Sequence, residues 1–208
     1  MILTPIAPDR LRALLAAFSR GLEDEPARRA FRRIAASADA ARARGHDAAV
    51  HHRRALALAA SLGMGIRAES PRWAYGWDGR ALAARTEAYV LLHEVAHFQL
   101  AAPVRRRRAE FGLGPGPETG NLAGAGRHAV PLGLAREREE AMASLLGILW
   151  EAELGQPALA SFLDQNWLEG VPRPGAARHF SAVLRDLRGR GFVTPAGRPT
   201  PRLRRDPD

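Results

Sequence analysis

Hydrophobic residues recur along most of the chain at the spacing of one helix face. In residues 9–22 the apolar positions that share such a face are Leu11, Leu14, Leu15, Phe18 and Leu22. The same periodicity predicts further helices over residues 26–44, 47–62, 134–154, 158–169 and 176–188. Residues 63–69, around Ile66, suit one short strand. The pattern therefore predicts a mainly α fold with at most a few short strands.

One further helix is apolar nearly all round. Residues 81–102 contain no Gly or Pro, follow Asp78 as a candidate N-cap, and precede Pro103. A helix with apolar residues on every face is typical of a buried position. We therefore expect the helix over 81–102 to lie in the core.

This buried helix carries the sequence His93-Glu94-Val95-Ala96-His97. Residues four apart lie on one helix face, so both imidazoles are able to converge on one metal ion. Glu94 projects from a neighbouring face, where it suits a general base or a group that orients a metal ligand. The alternative is a hydrogen-bonded pair of core histidines. Because unpaired histidines are costly to bury, the motif favours metal binding.

A third ligand is expected from the helix over 134–154, which carries Glu137, Glu139 and Glu140. Glu140 lies near the apolar stripe of this helix and precedes small residues that permit close helix packing. We therefore predict His93, His97 and Glu140 as the metal ligands, with Glu137 as the second choice. Glu139 lies further round the helix, and we expect it to be a solvated residue of the first turn.

Composition limits the chemistry and the partners. The 208 residues have no Cys, so any metal must be held by nitrogen and oxygen ligands. The chain suffices for one domain over residues 1–194, with N-terminal helices at 9–62 and a metal core at about 78–190. Residues 195–208, rich in Pro and Arg, are predicted to be a disordered tail. No apolar run is long enough for a membrane span, and the first residues do not resemble a signal peptide, so we expect a cytoplasmic protein.

The net charge is +9, and every basic residue is Arg. A positive field favours an acidic protein or a nucleic acid as partner. The run Arg105-Arg106-Arg107-Arg108 directly follows the motif helix, where it suits either one wall of a substrate groove or a solvated face. The Gly- and Pro-rich residues 111–132 predict a long loop between the two ligand helices, placed to cover the metal.

From His93 onward the chain resembles the bacterial elongation factor P hydroxylases, metal-dependent enzymes that hydroxylate a modified lysine on that translation factor. The residues that match the family's pattern without a gap are His93, Glu94, His97, Phe98, Ala101, Arg105, Arg106, Glu110, Phe111, Gly112, Pro117 and Glu118. Counted back from Gly155-Gln156-Pro157, Glu140 falls where the family carries its ligand glutamate. The resemblance covers about residues 93–192 and does not reach the N-terminal helices.

The resemblance implies a zincin-like helical core and a hydroxylase that acts on a protein side chain. We expect Fe(II), held by two His and one carboxylate, with dioxygen as co-substrate. We also expect Phe111 and Glu118 to contact an acidic protein substrate, such as a translation factor, rather than nucleic acid or membrane. Arg105 and Arg106 would either contact that substrate or be structural.

Two other functions remain open from the residues. The same ligands hold Zn(II) in metallopeptidases, where Glu94 would be the general base for the attacking water. A third hypothesis is a basic, helical, non-catalytic binding protein, which leaves the buried His-Glu-x-x-His motif unexplained.

Overall fold

The computed structural model describes residues 6–37, 46–69, 76–114, 133–168 and 175–207. Within them, the elements are α1 (Pro8–Arg20), α2 (Glu25–Ala35), α3 (His46–Ser61), β1 (Gly65–Arg67), β2 (Ala81–Ala83), α4 (Ala88–Leu100), two 3₁₀ turns (Arg105–Arg107 and Ala109–Gly112), α5 (Leu134–Glu153), α6 (Ala158–Asp164) and α7 (Ala176–Gly189). The predicted mainly α class is confirmed. The strand predicted around Ile66 is also present, as β1.

The chain divides into two compact units, each built from two stretches of sequence. One comprises Met1–Arg44 and Ser144–Thr200, and the other comprises Gly45–Ala143 and Pro201–Asp208. The single domain predicted over residues 1–194 stays a prediction. Helix α3 packs on α4 and belongs to the second unit, whereas α6 and α7 pack with α1 and α2 in the first.

The first unit has an aromatic core. The rings of Phe18, Phe31, Phe162 and Phe180 pack with centroids 4.8–6.3 Å apart, and none of these residues is more than 6% exposed. Such ring pairs add specific geometry to the burial of apolar area. The predicted amphipathic faces of α1 and α2 therefore do form one core.

In the second unit, α3 packs on α4 and on strand β1 of a small parallel sheet. Strands β1 and β2 pair Gly65 with Ala81, Ile66 with Leu82 and Arg67 with Ala83. Gly65 permits this pairing, because a Cβ there would lie 2.5 Å from the carbonyl oxygen of Arg80. The short sheet fixes the segment that leads into α4.

The predicted start of the motif helix is wrong. Residues 81–83 form β2, and α4 begins at Ala88 with Glu87 as N-cap. Asp78 caps a turn instead, since its Oδ1 accepts hydrogen bonds from the N–H groups of Arg80 and Ala81 at 2.9 and 2.8 Å. The predicted end before Pro103 is confirmed, because α4 ends at Leu100.

The structure contradicts the prediction of a disordered tail over its described part, residues 195–207. The Thr200 N–H donates to the Phe192 carbonyl at 2.8 Å, and the Arg204 N–H donates to the Gln99 carbonyl at 2.9 Å. The side chain of Gln99, which is fully buried, donates from Nε2 to the Arg202 carbonyl at 2.8 Å. Composition alone suggested disorder, but these long-range backbone bonds define the path of the segment.

No helix in the described part of the chain combines the length and the apolar character needed to cross a membrane.

Candidate metal centre

Helix α4 presents both histidines of the motif on one face. His97 is 4% exposed, and nine of the thirteen residues of the helix are buried. The two rings meet edge to face, with centroids 4.6 Å apart and an angle of 85° between their planes. The spacing of four residues thus brings the imidazoles together as predicted.

The carboxylate of Glu140 on α5 completes a group of three donor atoms. The Nε2 atoms of His93 and His97 are 3.1 Å apart. Glu140 Oε2 lies 3.3 Å from Nε2 of His97 and 3.8 Å from Nε2 of His93. The side chain of His97 is 6% exposed, whereas those of His93 and Glu140 are 29% and 40% exposed. The group therefore has a closed side at His97 and an open side that solvent or a ligand can reach.

These separations fit the ligands of a single ion. Ligand atoms held at roughly 2.0–2.1 Å from one tetrahedral cation lie about 3.3 Å apart, close to the three distances found here. Within the described residues, this is the group of His and acidic side chains able to hold a metal. Its composition, two imidazoles and one carboxylate, suits Fe(II) and Zn(II).

The charges of His93, His97 and Glu140 favour one bound proton among the three side chains when no metal is bound. Burial disfavours a charge on His97, but the charge and hydrogen bond of Glu140 outweigh burial and raise the pKa of His97 to about 9. Burial and the nearby charge of His97 lower the pKa of His93 to about 4. Burial acts to raise the pKa of Glu140, but His97 and His93 lower it to about 2. At neutral pH a cation bound here would therefore replace one proton, which His97 holds.

Glu94 lies in a confined position beside the group. It is 8% exposed, and a Cβ added to Gly76 would lie 2.9 Å from its Cδ, so only glycine fits at position 76 without a shift. Burial and the charge of Glu94 raise the pKa of Glu110, which accepts a hydrogen bond from the Trp77 N–H at 3.1 Å. The two carboxyl groups are thus electrostatic neighbours, and one of them is favoured to keep a proton at neutral pH.

Arg105 joins the first 3₁₀ turn to the ligand helix α5. Its Nη1 and Nη2 donate to the two carboxylate oxygens of Glu139 at 2.7 and 2.6 Å, and its Nε donates to the Phe111 carbonyl at 2.9 Å. Arg105 is 2% exposed, so this two-pronged ion pair is shielded from solvent. Because Glu139 directly precedes Glu140, the ion pair fixes the turn of α5 that carries the third ligand.

Arg105 also supports a strained turn. Glu110 and Phe111 both have left-handed backbone conformations, with φ of 46° and 53°. Non-glycine residues adopt this region at a cost of roughly 1–2 kcal/mol each. The bond from Arg105 to the Phe111 carbonyl helps to hold the turn, which places the Phe111 ring against His97 at a centroid distance of 5.7 Å and an angle of 20°. The strained turn therefore places the Phe111 ring against the buried ring of His97.

The three predicted metal ligands come together. Glu140 is the carboxylate at the histidines, whereas the second choice, Glu137, is exposed and not part of the group. Arg105 and Phe111 are buried, at 2% and 1% exposure, so neither presents a surface to a substrate. Their side chains are used in the support of the site.

Two further predictions have mixed outcomes. The half-buried Arg106 donates from Nε to the Phe98 carbonyl and from Nη2 to the Arg204 carbonyl, both at 2.7 Å, so it is partly structural. Arg107 and Arg108 are exposed, as a solvated run predicts. Glu118 and most of the predicted loop over 111–132 lie outside the described residues.

Sequence analysis missed the roles of Glu139 and Glu110. Glu139 was expected to be solvated, yet its side chain is 14% exposed and paired with Arg105. Helical phase gives only one face of α5, whereas the partner lies 34 residues away in the chain. Glu110 was part of the matched pattern, but nothing local indicates that its carboxyl is next to that of Glu94.

No protein-family model matches this chain, no curated protein matches its sequence, and no solved structure matches its fold. The resemblance to the elongation factor P hydroxylases thus remains a prediction from the motif residues.

Proposed function

We propose that this protein is a metal-dependent enzyme that hydroxylates a protein side chain, with Fe(II) held by His93, His97 and Glu140. The observation that carries the proposal is the convergence of three donor atoms within 4.8 Å of one another, with one open side. Bound Fe(II) would supply positions for dioxygen and substrate beside each other. Hydroxylation inserts one oxygen atom into a C–H bond and releases the other as water, which requires an external donor of two electrons and two protons.

The chain's own residues have distinct parts in this proposal. His93, His97 and Glu140 bind the cation, and the closed side at His97 limits water to the side of His93 and Glu140. Glu94 is placed to accept or return a proton beside the ligands, with Glu110 as its neighbour. Arg105 and Phe111 are positioning residues, because they hold Glu140 and the His97 ring through their packing and hydrogen bonds.

The proposed substrate is an acidic protein, such as a translation factor of the elongation factor P type, and not nucleic acid or a membrane. Support comes from the net charge of +9 and from the motif residues that resemble the hydroxylase family. A cytoplasmic location belongs to the same proposal, since translation factors act there.

A second candidate is a zinc metallopeptidase. The observation that favours it is the buried carboxyl of Glu94, which directly follows the predicted ligand His93, where zinc metallopeptidases carry their general base. The two candidate functions use the same three ligands. Only the bound metal and the reaction distinguish them.

The test is to purify the protein without chelator or added metal, identify the bound metal, and follow both dioxygen consumption and peptide cleavage. We expect the bound metal to be iron. We also expect one oxygen atom to be added to a candidate translation factor in a reaction that depends on dioxygen, seen as a shift in the intact mass of that factor. His93→Ala should abolish both, whereas His179→Ala, on the exposed surface of α7, should not. Zinc together with cleavage that Glu94→Gln abolishes would refute the hydroxylase and establish the peptidase.

A further inference from the structure

A basic pocket lies where the C-terminal segment crosses the end of α4. It has a volume of about 820 Å³ and is lined by Pro103, Arg106 and residues 201–205. Four of these seven lining residues are arginines (106, 202, 204 and 205), and none is acidic. The pocket therefore concentrates positive charge in a concave site, where the field on a bound anion is stronger than on a flat surface.

The backbone of the basic pocket is held in place by several hydrogen bonds. The buried Gln99 binds the segment twice: its Nε2 donates to the Arg202 carbonyl, and its own carbonyl accepts from the Arg204 N–H. Arg106 Nη2 donates to the Arg204 carbonyl at 2.7 Å. These bonds use backbone groups of residues 202 and 204, so the arginine side chains of the segment are presented from a fixed frame.

The charges of Arg106 and Arg204 repel each other, and the lining has no carboxylate. Burial and the charge of Arg204 lower the pKa of Arg106, whose guanidinium lies over the Phe98 ring, 5.1 Å from its centroid. Its two hydrogen bonds to carbonyl oxygens use only two of its five N–H donors. Arg202 and Arg205 are exposed and form no ion pair within the described part of the chain. An anionic ligand would relieve this repulsion.

The lining indicates the chemistry of the ligand. Arginine forks match the paired oxygens of carboxylates and phosphates. Sites for single-stranded nucleic acid contain aromatic side chains on which the bases stack. The lining of the basic pocket has no aromatic side chain. Its other members, Pro103, Pro201 and Leu203, are apolar and suit the aliphatic stems of a peptide.

We propose that the basic pocket binds a segment of an acidic protein through the carboxylates of its Asp and Glu side chains. The identity of that protein as the substrate rests on the proposed function, whereas binding at the pocket does not. Arg106 also connects the pocket to the ligand helix, because its Nε donates to the carbonyl of Phe98, the residue after His97.

The test measures the affinity of a fluorescein-labelled hexaglutamate peptide by fluorescence anisotropy at low and moderate salt. Arg202→Glu with Arg205→Glu changes only exposed side chains and lowers the net charge by four, two for each reversal. The matched control is Arg53→Glu with Arg178→Glu, which makes the same charge change at exposed positions of α3 and α7. We expect the pocket variant to weaken peptide binding about tenfold or more and the control less than about threefold.

Two results would overturn the proposal. Equal weakening in both variants would mean that the general positive field, not the pocket, attracts the peptide. Tighter binding of a single-stranded RNA hexanucleotide than of the peptide, lost in the pocket variant, would identify a nucleic-acid site instead. The metal content of the pocket variant should equal that of the wild type. If the wild-type protein binds no metal, the proposed function is refuted, but the peptide affinities still decide whether the pocket binds acidic peptides.

Discussion

At the scale of single residues, the proton on His97 is the feature with the clearest consequence. Its pKa is raised to about 9 because Glu140 stabilises the charged ring, while the pKa of His93 is lowered to about 4. A metal ion must displace one proton from this pair at every pH between those two values. The proton on His97 therefore competes with a metal ion for the two histidines.

We predict that the apparent dissociation constant for Zn(II) falls about tenfold per pH unit from pH 6 to pH 8. One proton leaves His97 for each ion that binds, so higher pH favours the ion. Titration against a competing chelator, corrected for the chelator's own protonation, measures this slope. A dissociation constant that levels off above pH 7 would contradict the raised pKa, since a histidine with its usual pKa is already neutral there.

A second residue-scale prediction concerns Glu151, which is 2% exposed and lies away from the metal ligands in sequence. Burial raises its pKa to about 7, against the hydrogen bond that Ser161 Oγ donates at 2.8 Å. The folded protein thus binds an extra proton between about pH 4.5 and pH 7, and the free energy of unfolding falls as pH rises through that range.

Glu151→Gln keeps an oxygen that accepts from Ser161 and removes the buried charge. We predict that the variant gains stability relative to the wild type as pH rises from 5 to 8, by up to about 3 kcal/mol. Thermal unfolding at both pH values measures the difference. Glu137→Gln, on the exposed part of the same helix, is the control, and the same pH response in both variants would refute the prediction.

Residue-scale prediction from sequence succeeded where the helix period decides the outcome. His93 and His97 share a face because they are four residues apart. Glu140 and Glu137 both lie near the apolar stripe, and Glu140 was chosen because small residues follow it. The role of Glu139 could not be predicted, because its buried position depends on Arg105 from another element.

At the scale of elements, Arg105 joins the segment after α4 to the start of α5. Its hydrogen bonds include two to the Glu139 carboxylate and one to the Phe111 carbonyl. Lysine has a single ammonium group and cannot reproduce this planar fork. The elements that carry His97 and Glu140 therefore depend on one arginine for their relative position.

We predict that Arg105→Lys lowers the free energy of unfolding by about 2–3 kcal/mol and weakens metal binding about tenfold. Arg107→Lys, at an exposed position of the same 3₁₀ turn, should change neither. Chemical denaturation and metal titration measure the two effects. Wild-type metal affinity in Arg105→Lys would show that the ion pair does not position Glu140.

The predicted helices begin within one residue of the observed ones, with the motif helix as the exception. The motif helix was extended back to residue 81 because Asp78 suits an N-cap and residues 81–102 contain no Gly or Pro. The structure uses the same Asp for a turn before β2, since pairing with β1 provides backbone hydrogen bonds that a local pattern does not reveal.

At the scale of the whole molecule, the C-terminal segment returns to the end of α4. Its composition predicted disorder, but the backbone bonds of residues 202 and 204 with Gln99 hold it in place. Contacts between residues about a hundred positions apart are not visible in local composition. The same limit explains why the assignment of α3, α6 and α7 to the two units could not be predicted.

We predict that the backbone N–H of Arg204 exchanges with solvent deuterium about a hundredfold more slowly than that of the exposed Arg205. The reason is its hydrogen bond to the Gln99 carbonyl in a buried part of α4. Amide exchange followed by NMR measures both rates. Exchange of residues 202–204 at the rate of an unstructured peptide would restore the prediction of a disordered tail.

The most direct test of the central claim, a single cation held by His93, His97 and Glu140, is the metal-to-protein ratio of two variants on one helix. Wild type and Glu137→Ala, which changes an exposed residue, should each bind about one equivalent of metal after equilibrium with excess ion and desalting. Glu140→Ala should bind well below one equivalent under the same conditions. Full metal content in Glu140→Ala, or none in the wild type, would contradict the account.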